Sequence, residues 1–157
     1  MHIREICTKI LAWEGVKMKL YKKLQFSDLG DERGKLVVVE GNIDIPFTIQ
    51  RAFYMYGSDS DVVRGKHANI NSEFVLINVA GSSKILITDG NTKEIVSLSK
   101  PMEGVYIPKM IWKEMYDFSK DSVLLVLAST HYDKQEYLRD YAQYTMLMDF
   151  FKEKKDD

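Results

Sequence analysis

RGKHANINSEFVLINVAG, residues 64–81, is the segment from which the architecture of the chain can be worked out. An arginine, a histidine, an asparagine and a glutamate precede an apolar run, and a glycine ends that run. A short apolar run bounded by turn residues is typical of a buried strand. We therefore expect residues 64–81 to place polar side chains at the mouth of a pocket in a sheet.

The rest of the chain repeats this pattern of short strand-like runs. From residue 19 onward the runs recur about every 8–12 residues, with turn residues between them and no intervening helix. Asp89 and Gly90 are typical of a hairpin turn between two of them. The pattern predicts an all-β sandwich or barrel rather than a parallel α/β sheet. The predicted strands cover residues 21–26, 35–40, 47–56, 66–68, 73–79, 84–88, 92–98, 104–107, 113–118 and 123–129.

Both ends of the chain differ from this barrel, which we predict over residues 19–132. In the extension 1–18, apolar residues recur at helical spacing, which fits a short helix; the alternative is a tail, since Met18 directly precedes the first strand pattern. Residues 133–151 predict a C-terminal helix that packs on the barrel or across a dimer, and 152–157 a charged tail. The apolar face of that helix contains Tyr137, Leu138, Tyr141, Tyr144, Thr145 and Met148.

The composition of the chain indicates which classes of protein it can belong to. The chain has 157 residues, 45% of them apolar and 29% charged, which suits one globular domain. A formal net charge of −1 provides no basic field for nucleic acid. The single cysteine, Cys7, excludes an internal disulfide and fits a reducing compartment. Without a membrane-length apolar run or a signal-peptide pattern, we expect a cytoplasmic protein that does not enter a membrane.

The segment also resembles the first site motif of the cupin barrel, the double-stranded β-helix. In that motif two histidines and a glutamate precede a strand, and a later motif supplies another histidine; the matching positions here are His67, Asn69, Glu73 and Lys113. A transition metal needs imidazole or carboxylate ligands, and an ammonium competes with it. We therefore predict no catalytic metal, and acid–base chemistry instead. His67 is then the candidate base, although a histidine that only hydrogen-bonds within the barrel wall is the alternative.

Arginines and tyrosines within the strand patterns suggest ligand contacts. Arg51 and Arg64 lie inside or next to apolar strands, where a guanidinium can grip phosphate oxygens, or else form a buried ion pair with a carboxylate. Tyr54 and Tyr106 can supply hydroxyl groups or stacking faces, or can simply be core residues.

Residues spaced along most of the chain form a recognisable pattern: Gly34, Ile45-Pro46-Phe47, Arg51, Arg64-Gly65, His67-Ala68, Trp112, Glu114-Met115, Asp117-Phe118, Leu127-Ala128-Ser129, Tyr132-Asp133, Tyr137 and Arg139-Asp140-Tyr141. Taken together, they closely resemble the WxcM-like, FdtA-type nucleotide-sugar 3,4-ketoisomerases over about residues 19–144. The resemblance implies a cupin-fold homodimer with exchanged N-terminal strands. It implies a dTDP-linked 4-keto-6-deoxy sugar as substrate, whose carbonyl moves from carbon 4 to carbon 3 through an enediol(ate) without a cofactor. An aminotransferase then makes a 3-amino sugar for surface glycans.

The resemblance also implies roles for individual residues. His67 matches the first histidine of the family's RGxHAH motif and becomes the base, whereas Arg51 and Arg64 would hold the diphosphate or the sugar. Arg33 and Lys113 match positions associated with product stereochemistry. Apart from the resemblance, Glu73 at the cupin glutamate position and Tyr106 within a strand pattern are further candidate substrate contacts.

Asn69 departs from the motif, because asparagine cannot exchange a proton at neutral pH. Either His67 works alone, relayed by Tyr54 or a water, or this member is slower or differently specific. The competing hypotheses are a catalytically silent cupin that binds a nucleotide sugar, and a related deoxysugar epimerase.

Overall fold

The computed structural model describes residues 19–156, which form ten strands and one α-helix. The predicted extension 1–18 and its helix lie outside the described residues. The strands are β1 (Lys22–Gln25), β2 (Arg51–Tyr56), β3 (Arg64–Asn69), β4 (Phe74–Ala80), β5 (Ser83–Thr88), β6 (Lys93–Leu98), β7 (Glu103–Ile107), β8 (Trp112–Tyr116), β9 (Val123–Ala128) and β10 (Tyr137–Leu138). A 3-10 turn, Lys134–Glu136, precedes β10, and helix α1 spans Tyr141–Asp156.

The strands pair into two antiparallel sheets, which confirms the predicted all-β barrel of the cupin type. The first sheet has the order β1-β7-β4-β9-β2 and the second the order β10-β3-β8-β5-β6. The predicted hairpin is present, because β5 pairs with β6 from Thr88 opposite Lys93 onward, across a loop that contains Asp89 and Gly90.

The two strands β4 and β9 of the first sheet are covered on both faces. Because successive side chains of a strand point to opposite faces, Phe74 and Leu76 of β4 pack between the sheets, while Val75 and Ile77 face the other side. That outer face is covered by the irregular segment 26–49, which contributes Phe26, Ile45 and Phe47. Because both faces of these strands are covered, β9 is continuously apolar and β4 is apolar except at Asn78, rather than alternating between apolar and polar residues.

The second sheet is covered on its outer face by α1. Tyr144 and Met148 of the helix pack against Ala68 of β3 and Trp112 of β8. The fully buried Tyr144 hydroxyl lies 2.9 Å from the Met110 carbonyl oxygen and 3.0 Å from that of Thr88, which share its single proton, and it accepts the Trp112 N–H at 3.3 Å. The helix therefore fixes the outer side of β3 and β8, whose inner sides line the site described below.

Two segments differ from the sequence prediction. The helix was expected over 133–151, but Tyr137 and Leu138 pair with β3 as β10. The Asp140 carboxylate then accepts the Gln143 N–H at 2.9 Å as an N-cap, so the helix begins at Tyr141 and runs through most of the expected tail. Residues 35–40 were expected to form a strand, but they lie in the covering segment, where Val37 makes only an isolated bridge.

Within residues 19–156, the structure contains no helix with the length and apolar character required to cross a bilayer.

Candidate active site

A cavity of about 160 Å³ lies between the two sheets. It is smaller than the roughly 300–1,000 Å³ of pockets that enclose a drug-sized ligand, so it has room for the reacting end of a larger molecule. Polar side chains converge on it from the second sheet, and the first sheet supplies an apolar wall. It is lined by Phe53, Met55, Arg64, Gly65, His67, Phe74, Leu76, Lys113, Met115, Val126 and Tyr137.

A bulge in β3 sets the direction of the His67 side chain. Gly65 and Lys66 both have left-handed backbone angles, with φ of +84° and +55°, and the pairing between β3 and β8 shifts at this point. A Cβ atom at Gly65 would lie 2.8 Å from the Lys113 carbonyl oxygen, so only glycine fits there. The bulge brings His67 opposite Lys113, with both side chains lining the cavity.

The hydrogen bond of the His67 ring determines its tautomer. Its Nδ1 lies 3.0 Å from the Gly65 carbonyl oxygen. A carbonyl only accepts, so Nδ1 carries the proton and donates. In the neutral ring Nε2 then has a free lone pair, which is what a base requires.

The surroundings of His67 keep the ring neutral. Burial lowers the pKa of His67 to about 4, and the charges of Lys113 and Arg139 act in the same direction. The Tyr137 ring packs against the imidazole with 4.8 Å between ring centroids, and the Arg139 guanidinium lies 4.7 Å from the Tyr137 ring. At neutral pH His67 is therefore unprotonated and able to accept a proton.

Lys113 belongs to a buried polar chain behind the cavity wall. Its ammonium donates to Asn69 Oδ1 at 2.7 Å and lies 4.5 Å from the centre of the Phe74 ring. The Asn69 amide in turn donates to Glu136 Oε1 at 3.1 Å. The other oxygen of Glu136 accepts the backbone N–H groups of Asn71 and Ser72, each at 2.9 Å. This chain ties β8, β3 and the 3-10 turn together.

Burial lowers the pKa of Lys113 to about 7, and the negative charge of Glu136 partly opposes that effect. Both pKa values are lowered, and between pH 4 and pH 7 Lys113 is a cation while His67 is neutral. A cation beside a neutral base can stabilise the negative charge that develops on a substrate when the base removes a proton.

Arg51 offers a further cationic group near the cavity, besides Lys113 and Arg64. It lies on the same face of β2 as Phe53 and Met55, which line the cavity. Its guanidinium lies 5.3 Å from the Phe53 ring centre and 5.6 Å from that of Tyr132. Nε and Nη2 of this side chain are buried without a hydrogen-bond partner among the described residues. A buried, unpaired guanidinium is a strong candidate to bind an anion.

Comparison with known proteins identifies the family. Residues 18–149 match the model described as FdtA: WxcM-like, C-terminal. The chain belongs to the FdtA family.

The chain is similar in sequence and structure to several 3,4-ketoisomerases. Over 120 residues it is 40% identical to the TDP-4-oxo-6-deoxy-alpha-D-glucose-3,4-oxoisomerase of Aneurinibacillus thermoaerophilus, covering 76% of this chain and 86% of that protein. It is 45% identical to the structure of WlaRA, a TDP-fucose-3,4-ketoisomerase from Campylobacter jejuni, with a TM-score of 0.79 over 83% of this chain and 96% of that one. A mutant of the 3,4-ketoisomerase QdtA from Thermoanaerobacterium thermosaccharolyticum, solved with TDP-4-keto-6-deoxyglucose, is 39% identical with a TM-score of 0.80, over 82% and 94% of the two chains.

Within this FdtA-family fold, the structure brings together only some of the predicted site residues. His67, Arg64 and Lys113 line one cavity, and Asn69 lies directly behind Lys113. Arg33 does not join them, because it is 85% exposed and paired with Asp31. The other predicted site residues, Tyr54, Glu73 and Tyr106, can contact a ligand in the cavity only if they lie on the inner face of the first sheet.

Tyr54, Glu73 and Tyr106 face away from the cavity. Tyr54 is 65% exposed, because strand alternation points it to the side opposite Phe53. Glu73 accepts the Tyr106 hydroxyl at 2.6 Å, and Tyr106 packs with the core on the outer face of the first sheet. Tyr54 is therefore on the wrong side of the sheet to relay a proton to His67, and the predicted substrate contacts Glu73 and Tyr106 lie outside this cavity.

Sequence reasoning missed two residues of the site. Glu136 and Tyr137 were assigned to the C-terminal helix, although Tyr137 was part of the family resemblance. The signal that could have found them is the departure at Asn69, since a buried amide next to a buried lysine requires a further partner. As for metal ligands, residues 19–156 contain no cluster of three or more histidine, cysteine, aspartate or glutamate side chains.

Proposed function

We propose that the protein is a sugar-nucleotide 3,4-ketoisomerase that converts a dTDP-linked 4-keto-6-deoxyhexose to its 3-keto isomer. The observation that carries this function is His67, a neutral imidazole with a free Nε2 in a cavity that also contains a buried cation. The named relatives act on sugars of this class, and the family match supports the same reaction here.

In the proposed mechanism, His67 carries a single proton between neighbouring carbons. Nε2 removes the proton on carbon 3, which is acidic because it is adjacent to the ketone, and the C4 carbonyl becomes an enediolate oxygen. The C3 hydroxyl then loses its proton and becomes the new carbonyl, while carbon 4 takes the proton from His67. The proton released at O3 returns at O4, so the product is an isomer, and the steps require no redox cofactor or metal.

Arg51 and Arg64 are proposed to bind the diphosphate. The buried, unpaired nitrogens of Arg51 support this role, since phosphate oxygens would satisfy them. We expect Arg51→Gln to weaken dTDP binding about 10- to 100-fold in calorimetry, because hydrogen bonds between charged groups contribute about 1.5–3 kcal/mol. Arg51→Lys should restore only part of the affinity, since lysine lacks the planar fork. The control is Lys120→Gln, on an exposed lysine; equal affinity in Arg51→Gln and the control would exclude Arg51 as a diphosphate ligand.

The reaction itself is tested with dTDP-4-keto-6-deoxyglucose labelled with ¹³C at carbons 3 and 4. NMR should show the carbonyl signal move from carbon 4 to carbon 3. His67→Gln should slow this change by about 10²–10⁴-fold, the usual contribution of a general base. His131→Gln, on an exposed histidine, is the matched control and should retain the rate. A wild-type protein that binds the substrate and leaves the ketone at carbon 4 would contradict the proposal and favour a silent binding protein.

We also propose that the protein is a cytoplasmic homodimer that exchanges N-terminal strands, and that an aminotransferase uses its product for a 3-amino sugar of a surface glycan. In this structure β1 is an edge strand that pairs with β7 of its own chain and with no other described strand, so in the proposed dimer it would pair with β7 of the partner subunit instead. Gln25 and Glu103 are paired across these strands, so cysteines at both positions, in a Cys7→Ser background, can form a disulfide. A disulfide-linked dimer on a non-reducing gel is expected; a monomer with an internal disulfide would contradict the exchange.

A further inference from the structure

The proposed proton transfer by His67 leaves one buried charge of the cavity without a function. Lys113 is 4% exposed, yet it lines the cavity and stands opposite His67 in the strand pairing. Among the described residues, its ammonium has a single hydrogen-bond acceptor, Asn69 Oδ1. An ammonium has three donors, and the Phe74 ring faces the same group. At least one donor is therefore available for a ligand in the cavity.

The charges on its two sides fix the orientation of the Asn69 amide. Its oxygen faces the Lys113 ammonium and its nitrogen faces the Glu136 carboxylate. The flipped amide would place donor against donor and acceptor against acceptor. Glu136 is itself held by the Asn71 and Ser72 N–H groups and by the Ser72 hydroxyl. A rigid chain thus runs from the backbone through Glu136 and Asn69 to Lys113.

We propose that Lys113 is a catalytic residue that donates a hydrogen bond to the sugar oxygen on which negative charge develops, and that Asn69 and Glu136 are positioning residues that hold its ammonium in the cavity. This inference rests on the isomerase function proposed above. Lys113 keeps its proton and stabilises the enediolate, while His67 moves the carbon-bound proton. Asn69, which cannot exchange a proton, is suited to this role because it transmits orientation rather than protons.

The two groups together predict the pH dependence of the reaction. The other charged or titratable groups around the pair are Arg64 on β3, Tyr137 on β10 and Arg139, whose charge lowers the pKa of His67. kcat/KM should rise as His67 loses its proton, with a pKa of about 4, and fall as Lys113 loses its own, with a pKa of about 7.

The kinetic test compares variants of Lys113 and Glu136. Lys113→Met should lower kcat by about 10²–10³-fold, as the loss of an oxyanion donor does. Lys113→Arg should retain activity above the Met variant and remove the alkaline limb, because arginine does not titrate in this range. Glu136→Gln removes the charge that raises the pKa of Lys113, so its alkaline limb should move to lower pH. The control is Glu114→Gln, the same change beside Lys113 in sequence, on a carboxylate bonded to the Trp112 side chain; it should leave the limb in place.

NMR of the free protein provides a readout that does not depend on activity. With ¹³C-lysine labelling, the Lys113 side-chain signal should titrate near pH 7 and at lower pH in Glu136→Gln. A wild type that isomerises the sugar, combined with an unmoved alkaline limb and Lys113 signal in Glu136→Gln, would overturn the positioning role and leave the isomerase intact. If the Lys113 signal shifts but the wild type does not isomerise, the catalytic role of Lys113 fails together with the proposed function.

Discussion

Two buried polar clusters in this protein are each built around an asparagine, and they differ in charge. The Asn69 cluster contains Lys113 and Glu136 and borders the cavity. The Asn78 cluster contains only the hydroxyls of Ser83 and Ser122: the Asn78 amide donates to Ser122 at 2.8 Å and accepts from Ser83 at 2.5 Å.

Asn78 has a structural role, whereas Asn69 is connected to the candidate active site. Asn78 is 0% exposed and also donates to the Ala80 carbonyl, where the pairing of β4 with β9 shifts, so its bonds satisfy a bulge. Asn69 is equally buried, at 1% exposed, but its two neighbours are an ammonium and a carboxylate. Burying charges costs far more than burying hydroxyls unless they are paired. We therefore infer that the Asn69 cluster has a role besides stabilising the fold.

The largest expected difference between the clusters is in stability. Asn69→Leu leaves the Lys113 ammonium and the Glu136 carboxylate without their shared partner, and we expect it to lower the free energy of unfolding by about 3–5 kcal/mol. Urea denaturation of the variant and the wild type measures the change. A loss below that of Asn78→Leu would show that the charges do not depend on Asn69.

A smaller loss in the free energy of unfolding is expected at acidic pH. Because the folded-state pKa of His67 is about 4 against 6.5 for a free histidine, the unfolded chain binds more protons between these values. The free energy of unfolding should therefore fall as pH drops from 6.5 to 4, by about 3 kcal/mol from this group. Lys113, with a pKa of about 7, is mostly protonated in the folded state over this range and contributes little. Denaturation of wild type and His67→Gln across the range should show a steeper decline for the wild type; parallel curves would contradict a buried neutral His67.

The smallest effect is expected at the Asn78 cluster. Asn78→Leu leaves only neutral hydroxyls without a partner, and should lower the free energy of unfolding by about 1–3 kcal/mol. The ketoisomerase rate at a temperature where the variant is folded should equal that of the wild type. A reduced rate with an unchanged fold would mean that this cluster also acts on the site.

Much of the fold follows from strand periodicity, and the exceptions have physical causes. The doubly buried strands and the hairpin at Asp89 were predictable, because their apolar runs and turn residues are local signals. β10 was not, because two residues of strand inside a helical pattern, Tyr137 and Leu138, are set by pairing with β3. The apolar residues Val37 and Val39 led to the prediction of a strand over residues 35–40. In the structure these side chains instead pack on the outer face of the first sheet.

The site was predictable where residue type alone limits the chemistry. His67 could be chosen because few other side chains in the chain exchange a proton near neutral pH, and Lys113 because it occupies a position of the family pattern. Tyr54 and Glu73 could not be placed, since a shift of one residue along a strand reverses the face to which a side chain points. Glu136 was missed because its function depends on a contact with a residue 67 positions away, Asn69.

The hydrogen bonds of the Tyr144 hydroxyl affect the thermal stability of the active site. By bonding to Met110, Thr88 and Trp112, it holds the last helix to the two turns next to β8. Elements near a chain end often open before the whole molecule unfolds. Partial detachment of α1 would release β3 and β8 while the first sheet stays assembled. Amide hydrogens of β3 and β8 should then exchange with solvent sooner than those of β4 and β9, and enzymatic inactivation should precede global melting.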